Sequence, residues 1–125
     1  MVDRKTVAKI LKIYGEAWAE QDPDKILTIF TKNAIYHERV LKKPIIGHKE
    51  IRKYWVYKVV NEQKDIKFKL LNFYIDGNTV IAEWEVVFFN RKKNAKIHMK
   101  EVEIMEISKD KIKSVREYWQ AETVQ

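Results

Sequence analysis

Apolar residues near the start of the chain fall at helical spacing. Val7, Ile10, Leu11, Tyr14, Ala17 and Trp18 share one face and predict an amphipathic helix reaching about Glu20. Asp22 then offers an N-cap and Pro23 a first-turn proline, which opens a second helix through Ile26, Leu27, Ile29 and Phe30, closed by Lys32 and Asn33. Ala34-Ile35-Tyr36-His37-Glu38 reads as a short strand. A loop through Pro44 reaches Gly47, where a third helix carries Ile51, Tyr54, Trp55 and Val59. From Ile66 onward the period shortens to two. Strands over 66–75, 79–89, 95–107 and 112–119 are divided by Asp76-Gly77-Asn78, by the basic turn 91–96, and by Lys109-Asp110-Lys111. The order predicts an α+β fold, in which a cone-shaped, curved antiparallel sheet is wrapped by three N-terminal helices around an apolar hollow.

Composition narrows this picture. A length of 125 residues fits one domain over 1–125 with a sizeable core. The absence of cysteine removes disulfide, zinc–thiolate and thiol-nucleophile readings. No apolar run has the length of a membrane span or a signal segment, so a cytoplasmic protein with no membrane partner is expected. The net charge of +7 raises the question of nucleic acid. Its 20 Lys and 5 Arg are spread among 12 Glu, and only Arg91-Lys92-Lys93-Asn94-Ala95-Lys96 forms a cluster. Nucleic-acid surfaces favour arginine interleaved with aromatics along one face, so a solvated Lys/Glu surface and no nucleic-acid partner are expected.

Three residues carry candidate chemistry. Tyr14 sits on the apolar face of the first helix, Glu38 ends the short strand, and Glu103 lies within a long one. Carboxylates are rarely buried unless paired or engaged in chemistry, and an apolar pocket raises their pKa. Alternation puts Met99, Glu101, Glu103, Met105 and Ile107 on one face and Val102 and Ile104 on the other. It leaves open which face turns inward. Glu101 beside Glu103 fits either a salt-bridged outer surface or a pair sharing a proton. Trp18, Trp55 and Trp119 are core residues or the wall of a cavity for a planar ligand, and Trp84 alternates with Val86 and Phe88. His37, His48 and His98 are too scattered for a metal site, so no metal is expected. Ile81, Val87 and Phe89 share a face with Glu83 and Glu85, which is a candidate homodimer surface or a solvated outer face.

Longer stretches carry a resemblance. The run Tyr14-Gly15-Glu16-Ala17-Trp18, Asp22 and Ile29 to Glu38 is similar to the opening of the nuclear transport factor 2-like superfamily. Ile46 to Trp55 and Val115-Arg116-Glu117-Tyr118-Trp119 resemble its SnoaL-like branch. The resemblance implies the cone-shaped fold over essentially the whole chain. Ketosteroid isomerases of this superfamily carry a tyrosine where Tyr14 stands, a general-base aspartate at Glu38 and a protonated oxyanion-hole aspartate at Glu103. Both carboxylates are thus one methylene longer here, and His37 and Arg39 flank Glu38. By the same resemblance Glu103 faces the hollow, and Glu117 points inward between Val115 and Trp119. Trp18, Trp55, Met105, Glu117 and Trp119 are then the candidate ligand-binding residues.

Two functions are expected. One is a cofactor-free isomerase, cyclase or hydratase/hydrolase-type enzyme. In it Glu38 moves a proton next to a carbonyl, while Tyr14 and Glu103 stabilise the oxyanion of a small apolar or aromatic molecule. The other is a non-catalytic ligand-binding or dimerisation module of the same fold.

Overall fold

A computed structural model describes residues 1–124. Helix α1 spans Arg4–Glu20, with the Asp3 carboxylate accepting from the Thr6 backbone N–H at 2.8 Å. It ends at Gln21, whose left-handed backbone (φ 56°) turns the chain sharply. Helix α2 covers only Pro23–Leu27, capped by the Asp22 carboxylate on the Asp24 and Lys25 N–H groups. The periodicity of Ile29 and Phe30 predicts a longer helix. The chain instead enters β1, Phe30–His37, because Phe30 pairs with Ile112 and the Ile29 carbonyl accepts from Ile112 N–H at 2.7 Å. Pairing with the last strand outweighs a helical pattern that is purely local.

A two-residue strand β2, Ile45–Ile46, lies where a loop is expected, followed by α3, Gly47–Trp55. The third helix then widens into a π-helical segment, Val56–Asn61. Four long strands complete the chain: β3, Gln63–Asp76; β4, Thr79–Asn90; β5, Ala95–Ser108; and β6, Lys111–Val124. The sheet runs β2-β1-β6-β5-β4-β3 and stays open. The expected α+β architecture is the one adopted, with one refinement. β1 joins β6 in parallel, and every other neighbouring pair is antiparallel.

The helices cover the concave face. Val80, Ala82, Trp84, Val86 and Phe88 of β4 are buried there, as are Glu101, Glu103, Met105 and Ile107 of β5. Ile81 and Glu83 lie exposed on the convex side with the half-buried Glu85, Val87 and Phe89, and His98 pairs with Glu85 across that face at 3.0 Å. No helix among the described residues is long and apolar enough to cross a membrane.

Gly15 sets how closely α1 approaches β3. A Cβ there would stand 2.6 Å from the Phe68 ring, so only glycine lets the helix lie on that side chain. Gly15→Ala is expected to lower unfolding free energy by about 1–3 kcal/mol in urea titration. Part of that loss returns in a Phe68→Leu background, and full stability in Gly15→Ala alone would contradict the close packing.

Candidate functional site

Between the helices and the sheet lies a cavity of about 470 Å³. Its wall is β4 around Phe88 and Asn90, β5 at Ile97, Met99 and Glu101, and β6 at Glu117, Trp119 and Ala121. α1 contributes Tyr14 and Trp18, and the third helix with its π-helical extension contributes Tyr54, Trp55, Lys58 and Val59. Gln21 ties that extension down, since its side-chain amide donates to the Val59 and Gln63 carbonyls at 2.8 and 2.6 Å. Trp18 Nε1 donates to Gln63 Oε1 at 2.8 Å. Tyr14, Trp18, Trp55 and Trp84 pack as a cluster with ring centroids 4.9 to 6.5 Å apart.

The floor is polar. Register places Glu103 directly opposite Glu117 across β5 and β6, with Glu101 two residues along the same face. One oxygen from each of the three carboxyls lies within 4.8 Å of the other two. Aromatic donors hold one oxygen of each. Tyr14 donates to Glu103 Oε2 at 2.8 Å, Tyr36 donates to Glu117 Oε2, and Trp84 Nε1 donates to Glu101 Oε1 at 3.0 Å. The Tyr14 hydroxyl also lies 3.2 Å from that of Tyr36 and 3.5 Å from Glu117 Oε2. Glu103 Oε1 is enclosed with no partner among the described residues.

Among the described residues no lysine or arginine pairs with this cluster. Burial pushes the Glu101 and Glu103 carboxyls well above the usual carboxylate range, and the charge of Glu117 adds to it. Burial raises Glu117 less, because hydrogen bonds from Glu103 and Tyr36 favour its ionised form. Burial likewise raises Tyr14, Tyr36 and Tyr54 far above the ordinary phenol value, so their hydroxyls remain donors. Three oxygens this close can share protons or close on a hard cation.

The structure brings Tyr14 and Glu103 into direct contact but separates them from Glu38. Glu38 follows β1 at the mouth of the cavity, partly exposed, with Arg39 Nε 3.4 Å from its Oε2. Its charge still reaches Tyr54 and Glu117 and raises both. Glu103 and Met105 face the concave side but lie below the cavity and do not line it, whereas Glu101 and Glu117 do. Trp18, Trp55 and Trp119 line it, with Trp119 40% exposed at the mouth. The Trp55 indole N–H is buried without a partner among the described residues. The histidines stay apart: His37 Nε2 donates to the Lys42 carbonyl and His48 Nε2 to that of Phe30.

Tyr36 and Tyr54 were not singled out in the sequence. A signal for Tyr36 is present there, because alternation puts it on the same face of β1 as Ala34 and Glu38. Tyr54 follows from the helical face shared with Ile51 and Trp55 only once the cavity is known.

Residues 11–115 match the family model of the SnoaL-like domain. The chain belongs to the SnoaL-like family. A search of curated proteins finds no match. Among solved structures, this SnoaL-like domain is similar to the epoxide hydrolase/cyclase-like enzyme SalBIII, which takes part in pyran ring formation in the polyether salinomycin. The two superpose with TM-score 0.84 at 21% identity, over 99% of this chain and 100% of that one. A proposed isomerase from Bacillus subtilis gives TM-score 0.82 at 18% identity, over 96% and 90% of the two chains. A protein with a ketosteroid isomerase-like fold from Catenulispora acidiphila, solved with trimethylamine, gives TM-score 0.77 at 16% identity, over 87% and 83%. At such identities the likeness is one of fold.

The carboxyl cluster predicts how stability follows pH. Because the pKa values of Glu101, Glu103 and Glu117 are raised in the folded chain, it holds more protons than the unfolded chain from about pH 4 upward. Their contribution is therefore complete below that value and is lost as pH rises through the folded-state values. Urea midpoints measured from about pH 5 to pH 9 are expected to fall, and Glu103→Gln to flatten the decline. An unchanged slope in that variant would contradict the assignment.

Proposed function

We propose that the cavity binds a small apolar or aromatic molecule and acts on it as a cofactor-independent isomerase or cyclase. The observation that carries this reading is the division of carboxyl groups between the two ends of the cavity. Glu101 and Glu117 stand at the floor with raised pKa values, and Glu38 stands at the mouth beside Arg39. A proton donor held at the floor and a carboxyl group at the mouth are two places from which a bound molecule can gain and lose a proton.

In the proposed reaction a carbonyl or ether oxygen of the substrate points to the floor. Protonated Glu101 or Glu117, oriented by Trp84 and Tyr36, donates to that oxygen as negative charge develops on it. Glu38 accepts a proton from the neighbouring carbon, or from an attacking hydroxyl, and delivers it elsewhere on the molecule. Glu103 and Tyr14 act behind this pair. Their hydrogen bond fixes the acid beside them and spreads its proton over the cluster. The indoles of Trp18, Trp55 and Trp119 supply the apolar wall, and the free Trp55 N–H offers one more donor. Among the structurally similar proteins, SalBIII is an epoxide hydrolase/cyclase-like enzyme and the Bacillus subtilis protein a proposed isomerase, which supports this reading.

A second reading, binding without turnover, draws on one observation. The hydroxyls of Tyr14 and Tyr36 are already engaged by Glu103 and Glu117 rather than free for a ligand.

A substituted naphthol, a planar mimic of a dienolate, tests the floor. Glu117→Gln and Tyr36→Phe are each expected to weaken its binding more than tenfold, measured by fluorescence, which also reports its ionisation. Indifference of binding to both would overturn the reading. Exchange of solvent deuterium into the α-carbon of a bound cyclic enone separates the two alternatives. Loss of exchange in Glu38→Gln with affinity retained supports catalysis, and binding without exchange in the unmodified protein supports the second reading.

A further inference from the structure

The basic run 91–96 finds no use in the chemistry above, yet it is the turn between β4 and β5, beside the cavity. Lys92 and Lys93 line the cavity wall, and neither has a carboxylate partner among the described residues. The turn that carries them is tied in place. Asn90 Oδ1 accepts from Lys93 N–H at 2.8 Å, and Arg91 N–H donates to the Glu62 carbonyl at the end of the π-helical segment at 2.7 Å. Asn94 closes the turn with a left-handed backbone, φ 52°. The lysines are thus held at the rim by backbone hydrogen bonds rather than scattered on a loose loop.

Two further cations line the same cavity from other elements. Arg39 follows β1, with its guanidinium 5.6 Å from the Trp119 ring centre and its Nε by Glu38. Lys58 comes from the π-helical segment and pairs with Glu62 at 3.7 Å. Glu38 and Glu62 answer those two cations, and burial raises the pKa values of Glu101 and Glu117, which lessens the negative charge of the floor. Lys92 and Lys93 leave the mouth with uncompensated positive charge, and a cleft with low-dielectric walls concentrates its field at the opening.

We propose that the ligand of this cavity is an amphiphile with an anionic group, a carboxylate or a phosphate, at the end that remains at the mouth, where Lys92 and Lys93 bind it. Its apolar body lies against Trp18, Trp55 and Phe88, and its reacting oxygen reaches the floor. The inference rests on the reading of the cavity as a ligand site and adds the substrate's charge and orientation to it. Neutral planar molecules of the same size then bind in the same place but less tightly, and their binding responds less to salt.

Three probes built on one naphthol body test this: a neutral amide tail, a carboxylate tail and a phosphate monoester tail of equal length. At about 50 mM salt the protein is expected to prefer at least one anionic probe over the neutral one by about tenfold, the sum of a few partly exposed ion pairs. The preference shrinks toward unity at about 300 mM salt and in the Lys92→Gln/Lys93→Gln double variant. Lys96→Gln, at the start of β5 and off the cavity wall, keeps it. Comparison of the carboxylate and phosphate arms says which anion is taken. Equal affinity for all three probes, or a preference that survives the double variant, overturns the inference while leaving the cavity reading intact. Failure of all three to bind overturns the cavity reading instead.

Discussion

Two glutamates facing each other across neighbouring strands, with a third beside them and no lysine or arginine among the described residues to pair with them, form the constraint on which this molecule turns. Were all three ionised, charges within 4.8 Å of one another would repel by about 3 kcal/mol per pair even at an effective dielectric of 20. Loss of hydration would add to that cost. Burial raises the pKa values of all three, and the charge of Glu117 raises those of Glu101 and Glu103 further, so the folded chain favours protons held within the cluster. Register makes the encounter unavoidable, since Glu103 and Glu117 are direct cross-strand partners.

The surrounding architecture serves the cluster. Its three aromatic donors come from separate elements: Tyr14 from α1, Tyr36 from β1 and Trp84 from β4. The parallel seam between β1 and β6 is what places Tyr36 opposite Val115 and within reach of Glu117. Gly15 lets α1 lie close on β3, immediately after Tyr14 and three residues before Trp18, the two residues that α1 carries into the cavity. A polar network satisfied by side chains from this many elements penalises shifts in packing, because any shift strands a buried polar atom. The same placement sorts the chemistry, with acids at the enclosed end and the partly exposed Glu38, beside the exposed Arg39, at the open one.

Much of this was legible in the residues. The face shared by Val7, Leu11, Tyr14 and Trp18, the turn at Asp76-Gly77-Asn78 and the period of the last four strands each announce their element directly. The helix expected through Phe30 illustrates a limit, because a helical period over a few residues cannot show that Phe30 will pair with Ile112 some eighty residues later. β2 is too short to carry a pattern at all. Alternation correctly groups Glu101, Glu103 and Met105, but which face turns inward depends on where the helices dock. The depth of each residue is set the same way. Glu103 lies beneath the cavity and Glu101 at its wall although the two are a single strand period apart, and no periodicity distinguishes them. Lys92 and Lys93 read as a solvated turn because what places them at the rim is the bond from Arg91 to Glu62, a contact between distant segments.

The raised pKa values of the cluster lead to the expectation that the folded chain holds carboxyl protons near neutral pH. Carbon-13 NMR of protein labelled at the glutamate carboxyls observes them directly, because the resonance of each group moves on ionisation. At about pH 7.5, well above the ordinary carboxylate range, carboxyl resonances are expected at the protonated position. They are to be assigned to Glu101, Glu103 and Glu117 by single glutamine substitution. All glutamates fully ionised at that pH, each with an ordinary titration, would contradict it.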